Sequence, residues 1–392
     1  MLERPASAPP QASLPAPSSP ATPGWYIGLM SGTSLDGVDG VLAQVSAQQC
    51  QVFGHASQPF TSDLKATLLA LNHSGSDELH RAALAANALA RCSAQVVQQL
   101  LADAGLPAQQ VLAIGSHGQT LRHQPQAHDG TGYTLQLQNP ALLAELTGIS
   151  VVADFRSRDV AAGGQGAPLV PAFHQQVFGR PGQHLAVLNL GGIANLSLLG
   201  ADASVLGFDC GPANMLLDLW CQRHTGQPYD ANGDWAASGQ PLADLLARLH
   251  DEPFLAAPAP KSTGRDLFNA AWLEQRLQAS ARHNAPPQDV QATLAEFTAQ
   301  VCAQHLLRHA PACALLIVCG GGALNGDLMA RLQAHLPGLP VQSSALHGLA
   351  PLQVEAAAFA WLAQRCLAGL PGNLPAVTGA SGPRVLGAFY PA

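Results

Sequence analysis

Residues 26–45, YIGLMSGTSLDGVDGVLAQV, decide the fold. The apolar run 26–30 reads as a strand and the hydroxyl- and glycine-rich segment 31–37 as a turn. The stretch after it reads as a second strand, with Val41, Ala43 and Val45 on one face. Gly32, Gly37 and Gly40 allow a close backbone approach to a ligand, and Ser31, Thr33 and Ser34 add hydroxyl donors. A turn of this kind can hold a polyphosphate through backbone N–H groups instead of cationic side chains. Taken alone it is equally a tight hairpin with no ligand. It is not a Walker A loop, whose lysine is missing here (the chain's lysines are Lys65 and Lys261), and it is not GxGxxG.

Residues 185–199, LAVLNLGGIANLSLL, repeat the idea: strand, Gly191 and Gly192, strand. Two such hairpins far apart in one chain predict two related domains, each offering a loop to one shared ligand. A third glycine turn, Gly320, Gly321 and Gly322, follows the apolar strand 315–319, and residues 324–332 carry apolar side chains at helical spacing. A strand, a triple glycine and a helix start predict a site for a nucleoside or its phosphates at a helix N-terminus. Asp209 lies in GFDCGPAN, on a short strand that runs into a Gly-Pro turn and a helix over 215–220. There it either faces a cleft as a base whose pKa is raised by burial, or caps the helix.

These segments resemble the anhydro-N-acetylmuramic acid kinase family, within the superfamily of sugar kinases, heat-shock chaperone ATPases and actin. The resemblance rests on GLMSGTSLDGVD (28–39), GSHGQT (115–120), ADFRSRDVAAGGQGAPLVP (153–171), LNLGGIANLS (188–197), GFDCGPAN (207–214) and CGGGALNG (319–326), and it runs from Trp25 almost to the C-terminus. It implies an α/β fold with two related domains of the actin-like ATPase (ribonuclease H-like) type and a ligand in the interdomain cleft. Residues 24–152 plus about 371–392 would form the first domain and 153–370 the second, after a disordered tail over 1–23. It implies ATP and Mg²⁺, with the phosphates on Gly32, Thr33, Ser34, Leu35, Asp36, Gly37, Val38 and Asp39. Gly191, Gly192, Gly320, Gly321 and Gly322 would complete the nucleotide site.

The reaction implied opens the 1,6-anhydro ring of 1,6-anhydro-N-acetylmuramic acid with water and phosphorylates the 6-oxygen. The products are N-acetylmuramic acid 6-phosphate and ADP, in peptidoglycan recycling and amino sugar catabolism. Asp209 would deprotonate the water. Arg156, with Arg158, would meet a carboxylate or phosphate. Glu355 would be a substrate-side carboxylate or a charge complementing its helix dipole, and His117 a cleft or core histidine. Gln138 and Asn139 are candidate sugar hydrogen-bonders. Where the superfamily's two hairpins carry aspartates that orient the metal, Met30 and Asn189 stand here, so the metal ligands are left unassigned. Asp36 or Asp39 can substitute, or ATP oxygens and water hold the ion.

Composition agrees with a globular enzyme. The chain has 392 residues, 47% apolar and 11% charged, enough for two cores. A net charge of −7 offers no basic surface for nucleic acid or an anionic membrane. Eight cysteines are scattered without CxxC or Cys/His metal spacing, as expected for reduced thiols in a cytoplasmic protein. The Pro/Ala/Ser-rich N-terminus lacks a signal-peptide core, and no apolar run reaches the ~20 residues of a membrane span. The expected partner is a small molecule, with a homodimer as the expected assembly. Two alternatives are a kinase of the same fold acting on another sugar and a nucleotide-driven chaperone or filament, for which no surplus length is present.

Overall fold

The structure is a computed structural model that describes residues 23–32, 34–46, 49–259 and 261–392. The expected tail, up to residue 22, and Thr33 lie outside the described residues. In chain order the strands are β1 Gly24–Ser31, β2 Gly37–Val45, β3 Cys50–Pro59, β4 Val111–Pro125, β5 Gly132–Leu137 and β6 Val151–Ala153. Then come β7 Leu185–Leu190, β8 Ile193–Leu199, β9 Val205–Pro212, β10 Leu315–Cys319, β11 Val341–Ser343 and β12 Ala388–Tyr390.

Two sheets share one plan. In the first, β2 pairs antiparallel with β1 and β3, β1 pairs parallel with β4, and β4 pairs parallel with β6. In the second, β8 pairs antiparallel with β7 and β9, β7 pairs parallel with β10, and β10 pairs parallel with β11. The orders β3-β2-β1-β4-β6 and β9-β8-β7-β10-β11 match strand for strand. The two glycine hairpins are therefore equivalent turns of a repeated unit. β5 adds to β4, and β12 adds antiparallel to β6. Every residue of β7 and β10 is buried, as expected for central strands covered on both faces. β3, at a sheet edge, alternates partly buried and exposed residues.

The Ala-rich helix Val354–Leu367 lies between the sheets, sharing one core with Tyr26, Val41 and Ala43 of the first and Val187, Ile317 and Cys319 of the second. It sits unusually close to the first sheet because β1 and β4 present glycines to it. A Cβ on Gly28 would stand 1.8 Å from the Ala356 carbonyl oxygen, and one on Gly115 would stand 2.0 Å from that of Phe359. The outer face of the first sheet is covered by helix Glu78–Ala104, and the second sheet packs on helix Pro287–His309.

Two local expectations are corrected. The triple glycine leads into a 3₁₀ turn, Gly321–Leu324, and not directly into a helix. The helix starts at Gly326, where Asn325 Oδ1 accepts the Leu328 N–H at 2.9 Å as a cap. β9 runs through Gly211 and Pro212 instead of turning there, which an edge strand tolerates because proline's missing donor faces no neighbour. No described helix is long and apolar enough to cross a membrane.

Candidate active site

The turn of the first hairpin is held by its own hydrophobic residue. Leu35 adopts φ +58°, and its side chain is buried among Leu68, Leu71 and Ala85. Its N–H donates to the Gly32 carbonyl at 3.3 Å. A left-handed leucine is strained and needs surrounding structure to hold it. Val38 is also buried, and Gly37 serves strand pairing, since a Cβ there would meet the Gln58 carbonyl at 2.3 Å. Gly32 has open space beside it, with nothing within 3.8 Å of a built Cβ except Ser34 Oγ at that distance. Ser34, Asp36 and Asp39 are exposed, and Asp36 pairs with Lys65 at 3.2 Å.

The second hairpin docks on the start of helix Asn214–Thr225. The Gly191 carbonyl accepts the Asn214 N–H at 3.0 Å, and the Gly192 carbonyl accepts the N–H groups of Ala213 and Met215. The third turn packs on the second. Gly320 has φ +78°, and a Cβ there would stand 2.5 Å from Asn189 Oδ1. One on Gly322 would meet Leu190 Cβ at 2.5 Å. Gly320 and Gly322 thus bring two loops together, while Gly321 stays exposed.

Arg156 is the hub of the charged residues. Its Nε–H donates to His117 Nε2 at 3.1 Å and its Nη1–H to the Gly166 carbonyl at 2.8 Å. An arginine can only donate, so His117 Nε2 is an acceptor and its Nδ1–H faces the Ser31 carbonyl at 3.3 Å. Burial, then the Arg156 charge, push the His117 pKa down to about 3, which keeps the imidazole neutral. Burial lowers Arg156 to about 10, opposed by the charges of Glu355, Asp159 and Asp209. The guanidinium therefore stays charged at neutral pH. The hairpin strand β1, through Ser31, His117 and Arg156, is thereby linked to the carboxylates.

Asp209 lies on β9 across from Asn195, beside a bulge in which Cys210 of β9 is the extra residue. Its N–H donates to the Lys261 carbonyl at 3.0 Å, and its Oδ2 accepts the Thr263 N–H at 2.9 Å. It caps no helix: the residue before helix Asn214–Thr225 is Ala213, with no side-chain cap. Burial raises its carboxyl pKa to about 7, against the Thr263 N–H and the charges of Arg156 and Lys261. Glu355 occupies the first turn of its helix and is hydrogen-bonded to Asn189; burial raises its pKa, opposed by Arg156. Asp39 acts on Glu355 as a like charge, so the first hairpin reaches this cluster.

Other sequence candidates stand apart. Arg158 is exposed. Gln138 donates to Ser116 Oγ at 2.8 Å, and Asn139 caps helix Pro140–Thr147 and bonds Asn87, so both are committed within the protein.

Three further residues had no sequence signal as site components. Buried Asp159 accepts the Gly166 N–H (2.8 Å), Asn373 Nδ2 (2.6 Å) and Thr378 Oγ1 (2.7 Å), which fixes the loop whose carbonyl holds Arg156. Asp218, on helix Asn214–Thr225, is raised to about 7 by burial, then by Asp36, with Arg265 opposing. Thr263 contributes its backbone N–H. Among the described residues no group of three or more His, Cys, Asp or Glu is arranged to hold a metal ion. With no such group present, the described residues fit an ion held chiefly by phosphate oxygens and water.

A five-strand plan repeated in two sheets, with the first hairpin strand linked through His117 to Arg156 and its carboxylates, defines an α/β protein of the actin-like ATPase (ribonuclease H-like) type. The family model described as "Anhydro-N-acetylmuramic acid kinase" matches residues 24–392, and the chain belongs to that family of kinases. It is 64% identical over 372 residues to the anhydro-N-acetylmuramic acid kinase of Variovorax paradoxus, covering 94% of this chain and 99% of the relative. It is 62% identical over 375 residues to that of Bordetella petrii, covering 95% and 98%. Among solved structures it is similar to a ROK family glucokinase from Streptomyces griseus, in complex with glucose and AMPPNP. That match has a TM-score of 0.39 at 14% identity and covers 86% of this chain and 99% of that one.

Proposed function

We propose that this chain opens the 1,6-anhydro ring of 1,6-anhydro-N-acetylmuramic acid with water and transfers the γ-phosphoryl group of ATP to the released 6-oxygen. The products are N-acetylmuramic acid 6-phosphate and ADP. Family membership supports the substrate. The observation that carries the chemistry is Asp209, a carboxylate raised to about 7 and hydrogen-bonded at one oxygen by Thr263. A carboxylate half ionised near neutrality is a competent general base. Water gives its proton to Asp209 and its oxygen to the anomeric carbon, and the C1–O6 bond breaks. The 6-oxygen then bonds the γ-phosphorus as the bond from that phosphorus to ADP breaks. The acceptor is thus created in the same site, and its developing charge is spent on the phosphoryl group.

In this reading Arg156, oriented by His117 and Gly166, faces the sugar's carboxylate or the transferring phosphoryl group. The turn of the first hairpin, within residues 32–39, takes the phosphates, and the glycine turns at 191–192 and 320–322 complete the nucleotide site. Mg²⁺ would be held chiefly by ATP oxygens and water, and when bound would neutralise charge on the β- and γ-phosphate oxygens. Residues 24–152 plus about 371–392 and residues 153–370 form the two lobes of the cleft, with helix Val354–Leu367 between their sheets. The enzyme works in the cytoplasm as a homodimer, in peptidoglycan recycling.

The test is ADP release measured against pH with the anhydro sugar, glucose and N-acetylglucosamine. The base must be unprotonated, so kcat/KM for the anhydro sugar is expected to rise with pH through about 7. Turnover of a common hexose but not the anhydro sugar overturns the substrate. A profile flat on both sides of neutrality overturns Asp209 as the base.

A further inference from the structure

One of the chain's two lysines, Lys261, belongs to the segment whose backbone bonds Asp209, and its charge acts on that carboxylate. Lys261 Nζ has three protons and three acceptors: the carbonyls of Phe254 (2.9 Å) and Leu255 (3.0 Å) on the short helix Pro253–Ala256, and His305 Nε2 (3.3 Å) on helix Pro287–His309. It also lies over the Phe254 ring, 4.6 Å from its centroid. The backbone of the same segment grips Asp209 twice, through the Lys261 carbonyl on the Asp209 N–H and the Thr263 N–H on Oδ2. A lysine with every proton committed to acceptors from two other elements is a clamp. A surface lysine would leave its head in water.

We propose that Lys261 is a positioning residue for Asp209. Its ammonium ties the 261–263 segment to the Pro253–Ala256 helix and to His305, and so fixes both the N–H donor on the carboxylate and a positive charge acting on it. The inference rests on Asp209 being the base.

The surroundings suit that role. Burial, then the Lys261, His309 and Arg308 charges, lower His305 to about 4, so its ring is neutral and Nε2 accepts. The charged or titratable groups facing the pair are Arg156 from the segment after β6, Cys210 on β9, and Cys302, His305, Arg308 and His309 on helix Pro287–His309. Burial raises the thiol of Cys210 well above its ordinary value, so it stays uncharged near neutrality. Arg156 and Lys261 are the cations acting directly on Asp209, and Lys261 also controls its hydrogen bond.

Removing the Lys261 charge and loosening the Thr263 donor both raise the Asp209 pKa. For Lys261→Met, the ascending limb of kcat/KM is therefore expected to move alkaline by about one pH unit. The rate should fall about fivefold at neutral pH and recover at higher pH, with KM for ATP within about twofold of wild type. Lys261→Arg, which keeps the cation, should leave the limb near its wild-type position. A purely structural role would lower the amplitude at every pH and leave the limb in place, which overturns the proposal if Lys261→Met melts cooperatively. If Lys261→Met does not fold, Thr263→Pro deletes the donor while keeping the Lys261 ammonium, and an unmoved limb in that variant overturns the proposal equally. Asp209→Asn is run alongside: if it keeps wild-type activity, the reading of Asp209 fails, whatever the lysine variants do.

Discussion

Asp209→Asn is expected to lower kcat with the anhydro sugar by about 10³-fold without lowering the melting temperature. The size follows from removing a general base, which contributes roughly 10² to 10⁴ in rate. The stability expectation follows from linkage. The folded state holds the Asp209 carboxyl at about 7, well above its ordinary value. The native protein therefore binds this proton more tightly than the unfolded chain does, and ionising Asp209 costs stability as pH rises from the ordinary carboxylate range to about 7. Asparagine keeps a side-chain acceptor for the Thr263 N–H and removes the charge. A variant that is inactive and as stable as wild type, or more so, is the signature of a group kept for chemistry. Thermal melts and steady-state kinetics on the same preparation check both halves. A rate loss below tenfold contradicts the role.

Gly28→Ala is expected to be the most destabilising single-methyl change in the first sheet, by about 3 kcal/mol. The new Cβ would lie 1.8 Å from the Ala356 oxygen and 2.7 Å from the Ala360 nitrogen. Both are backbone atoms of a helix packed between two sheets, so neither can swing aside. The helix must move outward, and Glu355 in its first turn moves with it, away from Asn189. Turnover should therefore fall more than the folded fraction does. Chemical denaturation followed by circular dichroism, with activity on the residual folded protein, measures this. A midpoint and activity like wild type would mean the helix is not held by that contact.

The contrast between those two positions also says what a sequence reveals here. Both hairpins and the strand 315–319 were legible, because buried strands leave apolar runs. The repeat was legible as well, since glycine at equivalent turns is a backbone requirement that survives without side-chain detail. The closeness of helix Val354–Leu367 to β1 was not: Gly28 and Gly115 read locally as strand residues, and their reason lies in Ala356 and Phe359, more than two hundred positions away.

The same holds for the site. Asp209, Arg156, His117 and Glu355 stood out through motif resemblance, and the structure brings all four into one charged cluster. What holds them in place was hidden. Asp159 meets Asn373 and Thr378 at sequence separations of 214 and 219, and Asp209 meets Thr263 at 54. No local pattern encodes such pairings. That Asp209 caps no helix follows from β9 running on through Pro212, which is set by its edge position in the sheet and not by the GPAN residues themselves.

The coupling of ring opening to phosphoryl transfer at Asp209 is tested most directly by running the reaction with Mg-ATP and 1,6-anhydro-N-acetylmuramic acid in ¹⁸O-water and reading the products early by mass spectrometry. The expected product is a sugar phosphate with the label on its anomeric oxygen and none in the phosphoryl group, formed one for one with ADP. Asp209→Asn should form neither labelled sugar nor ADP. Label appearing in phosphate with the sugar left intact, or ring opening that persists in Asp209→Asn while phosphorylation stops, would contradict it.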